Sequence, residues 1–118
     1  MEKEILVEAQ TDKGKYSAGE EVKMSITVAN KGQSPIELIF TSTQRYDFMV
    51  LKDGGEVWRW SNGKVFAMIL ESLPLKPGEK RTYTETWRPE DVAPGEYKVV
   101  GVVTSQPKYR ATCKFVIW

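Results

Sequence analysis

Apolar residues along this chain recur at every second position rather than at helical spacing, and glycine, proline, asparagine or aspartate interrupts them about every ten residues. In EEVKMSITVAN, Val22, Met24, Ile26 and Val28 alternate with Lys23, Ser25, Thr27 and Ala29, as a strand with one buried and one wet face requires. Asn30, Lys31 and Gly32 then end it. Ile36 to Phe40 predicts a further strand, and Tyr46 to Leu51 another. In the latter Tyr46, Phe48 and Val50 lie opposite Asp47, Met49 and Leu51, so both sides carry apolar residues and an interior position in a sheet is expected. Asp53, Gly54 and Gly55 tolerate positive φ and turn that strand back into Glu56 to Trp60 as a hairpin. Leu75 to Glu79, LKPGE, reads as a turn ahead of a strand from Lys80 to Trp87, in which Thr82, Thr84 and Thr86 oppose Tyr83, Glu85 and Trp87. Glu96 to Val103 and Ala111 to Trp118 follow, the last with Cys113, Phe115 and Ile117 on one face. With an N-terminal strand near Glu4 to Ala9, the pattern predicts about eight strands and no helix of any length.

Seven to nine short strands in one chain of 118 residues pack most simply as two facing sheets, so the expected fold is an all-β, immunoglobulin-like antiparallel β-sandwich. Residues 1–118 read as a single domain, with no repeat or linker. Pro94, Gly95 and Glu96 ahead of Tyr97 match the corner at which a tyrosine hydroxyl in such folds caps backbone. The single cysteine, Cys113, allows no internal disulfide, so aromatic residues must hold the sheets together. Tyr46, Phe48, Trp58, Trp60 and Tyr97 are the expected structural core, because aromatics at alternating strand positions are most often buried.

Charge and composition mainly exclude. Lys+Arg number 17 against 16 Asp+Glu, a net charge of +1 without clustering, so neither nucleic acid nor an anionic membrane is an expected partner. The longest apolar stretch, Val65 to Leu70, is far shorter than a membrane span, and the first ten residues, MEKEILVEAQ, lack the apolar run of a secretory signal. A cytoplasmic setting is expected, consistent with the lone cysteine. Histidine is absent, which removes a Ser-His-Asp or Cys-His nucleophile system, histidine zinc sites and imidazole base catalysis together. The pairs Glu20-Glu21 and Glu90-Asp91 lack calcium-loop spacing, and Gly54-Gly55 opens no helix that could cradle phosphate. No cofactor or metal site and no enzyme activity are expected, and a monomer is favoured.

Candidate chemistry therefore lies in loops and in one strand. On the strand that holds them, Trp58 and Trp60 share one face, while Val57, Arg59 and Ser61 share the other. Arg59 is placed to pair with Asp47 on the neighbouring strand, and Gln44 to satisfy loop backbone with its amide. Cys113 reads as a small apolar residue rather than a reactive thiolate. Two loops are candidates for meeting a protein partner. Ser61, Asn62, Gly63, Lys64, Val65 and Phe66, running on to Ala67, form a polar turn that springs from the tryptophan strand and ends in apolar residues. Thr104, Ser105, Gln106, Pro107 and Lys108 form the tip between the last two strands, stiffened by the proline.

Gln44-x-Tyr46-Asp47-Phe48, Gly55-Glu56-x-Trp58-Arg59-Trp60-Ser61, Phe66, Pro77-Gly78-Glu79, Trp87 and Pro94-Gly95-Glu96-Tyr97 occur in this order and spacing. The arrangement resembles the intracellular proteinase inhibitor family of bacilli, the BsuPI domain, through most of the chain. The central cluster from Gln44 to Phe66 is its specific part, whereas the Tyr16 to Glu20 entry and the Pro94 corner are common to many β-sandwiches. The resemblance implies a β-sandwich that binds and inhibits an intracellular subtilisin-type serine protease, and it assigns no reactive bond. Two rivals stand beside inhibition. An immunoglobulin-like protein-interaction module is favoured by the lack of a disulfide-braced loop. Carbohydrate binding would need at least one of Trp58, Trp60, Trp87 or Trp118 laid bare as a platform.

Overall fold

The computed structural model describes residues 4–118, and among these residues it holds ten strands and no helix. They are β1 (Ile5–Thr11), β2 (Lys15–Tyr16), β3 (Val22–Asn30), β4 (Ile36–Phe40), β5 (Tyr46–Lys52), β6 (Gly55–Arg59), β7 (Glu71–Leu75), β8 (Lys80–Trp87), β9 (Gly95–Val103) and β10 (Tyr109–Ile117). One sheet has the order β1-β3-β8, the second β2-β10-β9-β5-β6, and β4 pairs with β7 as a separate ribbon. The all-β fold is as expected from the alternation. The two strands beyond the eight placed from sequence are the two-residue β2 and β7. All pairings are antiparallel except that of β2 with β10, which is parallel over Lys15 and Tyr16.

Alternation on facing strands makes the core. Val22, Met24, Ile26 and Val28 of β3 are fully buried, and so are Phe48 and Val50 of β5 and Val99 and Val103 of β9. Gly101, the inward position between Val99 and Val103, leaves room for Ile26 of the opposite sheet: a Cβ built there would lie 3.0 Å from the isoleucine Cβ and Cδ1. Tyr97 is buried and its hydroxyl donates to the Ala93 carbonyl at 2.5 Å, the corner bond its sequence context predicts. It stacks on Phe115 at 5.5 Å, and Phe115 meets Tyr16 edge-on at 5.4 Å. From the opposite sheet, Trp87 of β8 meets Tyr97 at 6.1 Å and Phe115 at 6.4 Å, so aromatic contacts link the two layers where a disulfide does so in other sandwiches.

The β5–β6 hairpin positions the tryptophans by a device that alternation does not reveal. Asp53 and Gly54 have φ of 52° and 80°, as a two-residue type I′ turn requires, and Lys52 pairs with Gly55. Continued without interruption, that register would set Val57 opposite buried Val50 and turn the indoles outward. Instead Leu51 pairs with Glu56 and Val50 with Trp58, so that Val57 is the extra residue of a β-bulge. Val57 is left exposed, and Trp58 faces the opposite sheet, stacked on Trp87 of β8 at 6.2 Å. The Trp60 N–H extends the shifted ladder to the Phe48 carbonyl at 2.9 Å.

Of the five residues expected to form the structural core, Phe48 and Tyr97 are buried, whereas Tyr46, Trp58 and Trp60 are half-buried and packed on the core's rim. The indoles sit at the rim because β6 is an edge strand, open to solvent on one side. Trp87 is buried, and Trp118 is 74% exposed, the one indole among the described residues that meets the exposure requirement of a carbohydrate platform.

Candidate functional site

Three loops meet at one end of the sandwich: residues 41–45 between β4 and β5, residues 60–70 between β6 and β7, and residues 104–108 between β9 and β10. Hydrogen bonds join the first of them to each of the other two. Thr43 N–H donates to the Ala67 carbonyl at 2.9 Å, and Ala67 N–H donates to Thr43 Oγ1 at 3.1 Å. Thr104 N–H donates to the Arg45 carbonyl at 3.0 Å, and Thr104 Oγ1 to the Gln44 carbonyl at 2.8 Å. The β4–β7 ribbon closes this end, with Ile36, Leu38, Phe40 and Leu75 buried beneath it. It is moored at one end by Asn30, whose Nδ2 donates to the Leu75 carbonyl at 2.8 Å. At the other end Gln106 N–H donates to the Ile39 carbonyl at 2.7 Å.

The 60–70 loop is fastened at its root, at its middle and where it enters β7, without a disulfide. At its root, Ser61 donates from N–H and Oγ to the two carboxylate oxygens of buried Asp47, at 3.1 and 2.5 Å. Asp47 also stands 3.5 Å from Arg59, which is itself bonded to Glu56 at 2.7 Å, so the expected Arg59–Asp47 pairing is present. The Arg59 guanidinium is held above its ordinary pKa by the Glu56 hydrogen bond foremost. Asn62 N–H returns to the Arg59 carbonyl and Lys64 N–H to the Ser61 carbonyl, closing two successive turns.

Above that root, Phe66 packs on Trp60 at 5.9 Å, Trp60 stacks on Tyr46 at 4.7 Å, and Tyr46 on Tyr83 of the opposite sheet at 4.9 Å. This aromatic column ties the loop to both layers; each such contact contributes about 0.5–1.5 kcal/mol beyond area burial. Burial pushes the Tyr46 hydroxyl far above its ordinary pKa, helped by its hydrogen bond to Glu85. Lys64 lays its ammonium over the Trp60 ring, 4.7 Å from the centroid. At the far end of the loop Arg45 pairs with Glu71, donates to the Ser42 carbonyl at 2.8 Å and lies 4.5 Å over the Phe40 ring.

What this frame holds outward is apolar. Val65 is 96% exposed, Met68 83%, Leu70 74% and Ile69 55%, all within one short segment. Of the residues singled out from sequence, Asn62, Gly63, Lys64 and Val65 are exposed, while Ser61 and Phe66 are half-buried and face inward to Asp47 and Trp60. Met68, Ile69 and Leu70 lie beyond the expected loop. An unbroken apolar run reads as a buried strand, and only the absence of a period-two pattern over VFAMIL hinted otherwise.

The 104–108 loop differs from its expected role. Ser105, counted among its partner-facing residues, is fully buried and its Oγ donates to the Pro107 carbonyl at 2.9 Å, so it braces the turn. Thr104 is half-buried and spends its hydroxyl on Gln44, leaving Gln106, Pro107 and Lys108 exposed at the tip. Gln44 itself donates from Nε2 to the Tyr46 carbonyl at 3.0 Å, satisfying loop backbone as expected.

Among the described residues no group of three or more Cys, Asp or Glu is gathered as for a metal ion, and Cys113 is half-buried with its thiol pushed up by burial. The concavity at the opposite end, about 270 Å³, lies between the Asp53-Gly54 turn and the start of β9 and is lined chiefly by Leu51, Glu96, Lys98 and Lys114. No helix among the described residues is long and apolar enough to cross a membrane.

A family model described as BsuPI, intracellular proteinase inhibitor, matches residues 9–108. No curated protein matches the chain by sequence. Among solved structures, the chain superposes on a β-glucosidase from Erythrobacter marinus with a TM-score of 0.56 at 14% identity, covering 98% of this chain and 16% of that one. The CARDB domain of a Pyrococcus furiosus protein, solved in complex with di-metal ions, gives 0.56 at 16% identity, covering 98% and 93%. The sporulation control protein Spo0M from Bacillus subtilis gives 0.52 at 22% identity, covering 97% and 48%. These likenesses are of fold. The chain spans about a sixth of the glucosidase and nearly the whole of the CARDB domain.

Proposed function

Because the chain belongs to the intracellular proteinase inhibitor family, we propose that it binds and blocks a subtilisin-type serine protease in the cytoplasm, using the loop end of the sandwich built around residues 61–70. The observation that carries this reading is the fastened yet exposed segment from Val65 to Leu70. Such a protease takes its substrate as an extended strand along its own backbone, with side-chain pockets giving preference. An inhibitor must fill the same cleft and pockets with a segment held out of the extended, cleavable shape. A loop already held in shape loses little ordering entropy on docking, and here hydrogen bonds, an ion pair and an aromatic column do the holding. A complex of ordinary size buries about 1,600 Å² in total, which one end of a domain this small can supply together with the Gln106–Lys108 tip.

The role is binding rather than chemistry. The family's activity is inhibition of an enzyme, and a sequence without histidine holds no imidazole base. The partner is a protease and not nucleic acid, in keeping with the balanced charge, and the inhibitor acts as a monomer. Titrating the purified domain into subtilisin-type proteases, with hydrolysis of a small peptide substrate as readout, tests the proposal. Suppression at near-stoichiometric amounts is expected. Full activity across several such proteases at large molar excess would reject it.

A second reading is favoured by one observation: the same fold forms 16% of a β-glucosidase chain and 48% of Spo0M, as a part of larger proteins. On that reading the domain is an adhesive module that docks another protein without inhibiting it. Co-purification of a stable non-protease partner, together with a null result in the titration, would decide for it.

A further inference from the structure

Within the 60–70 loop the backbone singles out one residue. Ile69 N–H donates to the Ala67 carbonyl at 3.1 Å, an i to i+2 closure that makes Met68 the apex of a γ-turn. Met68 is not among the residues of positive φ, so the turn is the inverse form, which costs little strain. On the N-terminal side Ala67 is held to Thr43 by two hydrogen bonds and Phe66 is turned inward onto Trp60. On the C-terminal side Glu71 pairs with Arg45 and lies opposite Phe40 at the start of the ribbon. The apex is thus pinned from both flanks, with its side chain 83% exposed.

We propose that Met68 is the side chain this domain inserts into the primary specificity pocket of its target, and that the target is a serine protease whose pocket is deep and apolar. The inference rests on the inhibitory reading above and names the contact that would dominate it. From Val65 to Leu70 no residue is charged, so the segment enters an apolar cleft without stripping water from an ion. Among the described residues the N–H groups of Val65, Phe66 and Met68 take no intrachain acceptor, and they remain free to pair with the edge of a protease strand. Methionine is unbranched and polarizable, which suits a deep pocket filled from a narrow apex. The neighbouring cation, Lys64, is held against Trp60 rather than presented at the apex. The rival loop spends its backbone internally, with Gln106 N–H bonded to Ile39 and Ser105 buried.

Three variants, Met68→Leu, Met68→Asp and Met68→Lys, are compared with the parent against a subtilisin-type protease and against trypsin, whose pocket accepts a basic side chain. The exposed position predicts unchanged thermal midpoints for all three. Inhibition of the subtilisin-type enzyme is expected to survive in Met68→Leu and to weaken roughly thirtyfold or more in Met68→Asp and Met68→Lys, the scale of a buried hot spot. Met68→Lys should gain inhibition of trypsin. If Met68→Asp inhibits within about threefold of the parent, the pocket assignment is wrong while the inhibitory reading stands. If the parent inhibits no protease, both fall together.

Discussion

Thr43 and Ala67, 24 residues apart in sequence, exchange two hydrogen bonds, one from the Thr43 N–H at 2.9 Å and one to its Oγ1 at 3.1 Å. This pair fastens the middle of an otherwise irregular loop to the turn that leads into β5. Thr43→Val keeps the shape, removes the hydroxyl acceptor and leaves the second bond intact. A hydrogen bond of this kind contributes about 0.5–1.5 kcal/mol. Since Ala67 is exposed, global stability should hardly change while inhibition weakens about twofold to tenfold, because the lost rigidity is felt in the loop alone. Parallel measurement of the inhibition constant and of the thermal midpoint checks the split.

Asp47→Ala should behave in the opposite way. Its carboxylate accepts from the Phe48 N–H and from both donors of Ser61, so truncation leaves partly buried N–H groups without an acceptor. Stability should fall by about 1–3 kcal/mol, measured by denaturant unfolding. A loss below about half a kcal/mol would show that solvent readily replaces the carboxylate.

Gly101→Ala tests the close approach of the two sheets. The added methyl group would sit 3.0 Å from Ile26, and overpacking of this sort costs about 1–3 kcal/mol. Ile26→Val removes the Cδ1 half of that clash, so the double variant should lose less than the sum of the single ones in a denaturant-unfolding cycle.

Alkaline titration probes the β2–β10 corner. The buried Tyr16 hydroxyl is pushed up to about 12, first by burial and then by its bond to Asp12. Its folded pKa lies above the unfolded value of about 10, so the unfolded chain loses this proton first. The stabilising contribution is intact below pH 10 and disappears as pH rises toward 12. Denaturant midpoints should decline through that window, and less steeply in Tyr16→Phe.

The legible parts of this fold were those in which local pattern and tertiary role coincide. Val22 to Val28 alternates because one face is core, and Asp53-Gly54 turns because both residues accept positive φ. β7 does not show in the pattern because Pro74 and the turn after Leu75 disguise it; the strand exists through its partner β4, on a two-stranded ribbon where proline is tolerated. β2 is only two residues long and is defined by its contact with β10. The bulge at Val57 cannot be read from letters, since alternation alone allows either face for the indoles. In the site, the polar root from Ser61 to Lys64 was visible as a turn, but Met68 to Leu70 were not, because exposure inverted what their hydrophobicity implies.

The central claim is that this domain fills a protease cleft with its 61–70 loop. The most direct measurement is its binding to a subtilisin-type protease, by calorimetry, before and after the cleft is sealed with a covalent peptidyl inhibitor. Binding to the open enzyme that vanishes on the sealed one is the predicted result. Equal affinity for both forms would contradict it, placing the contact away from the cleft.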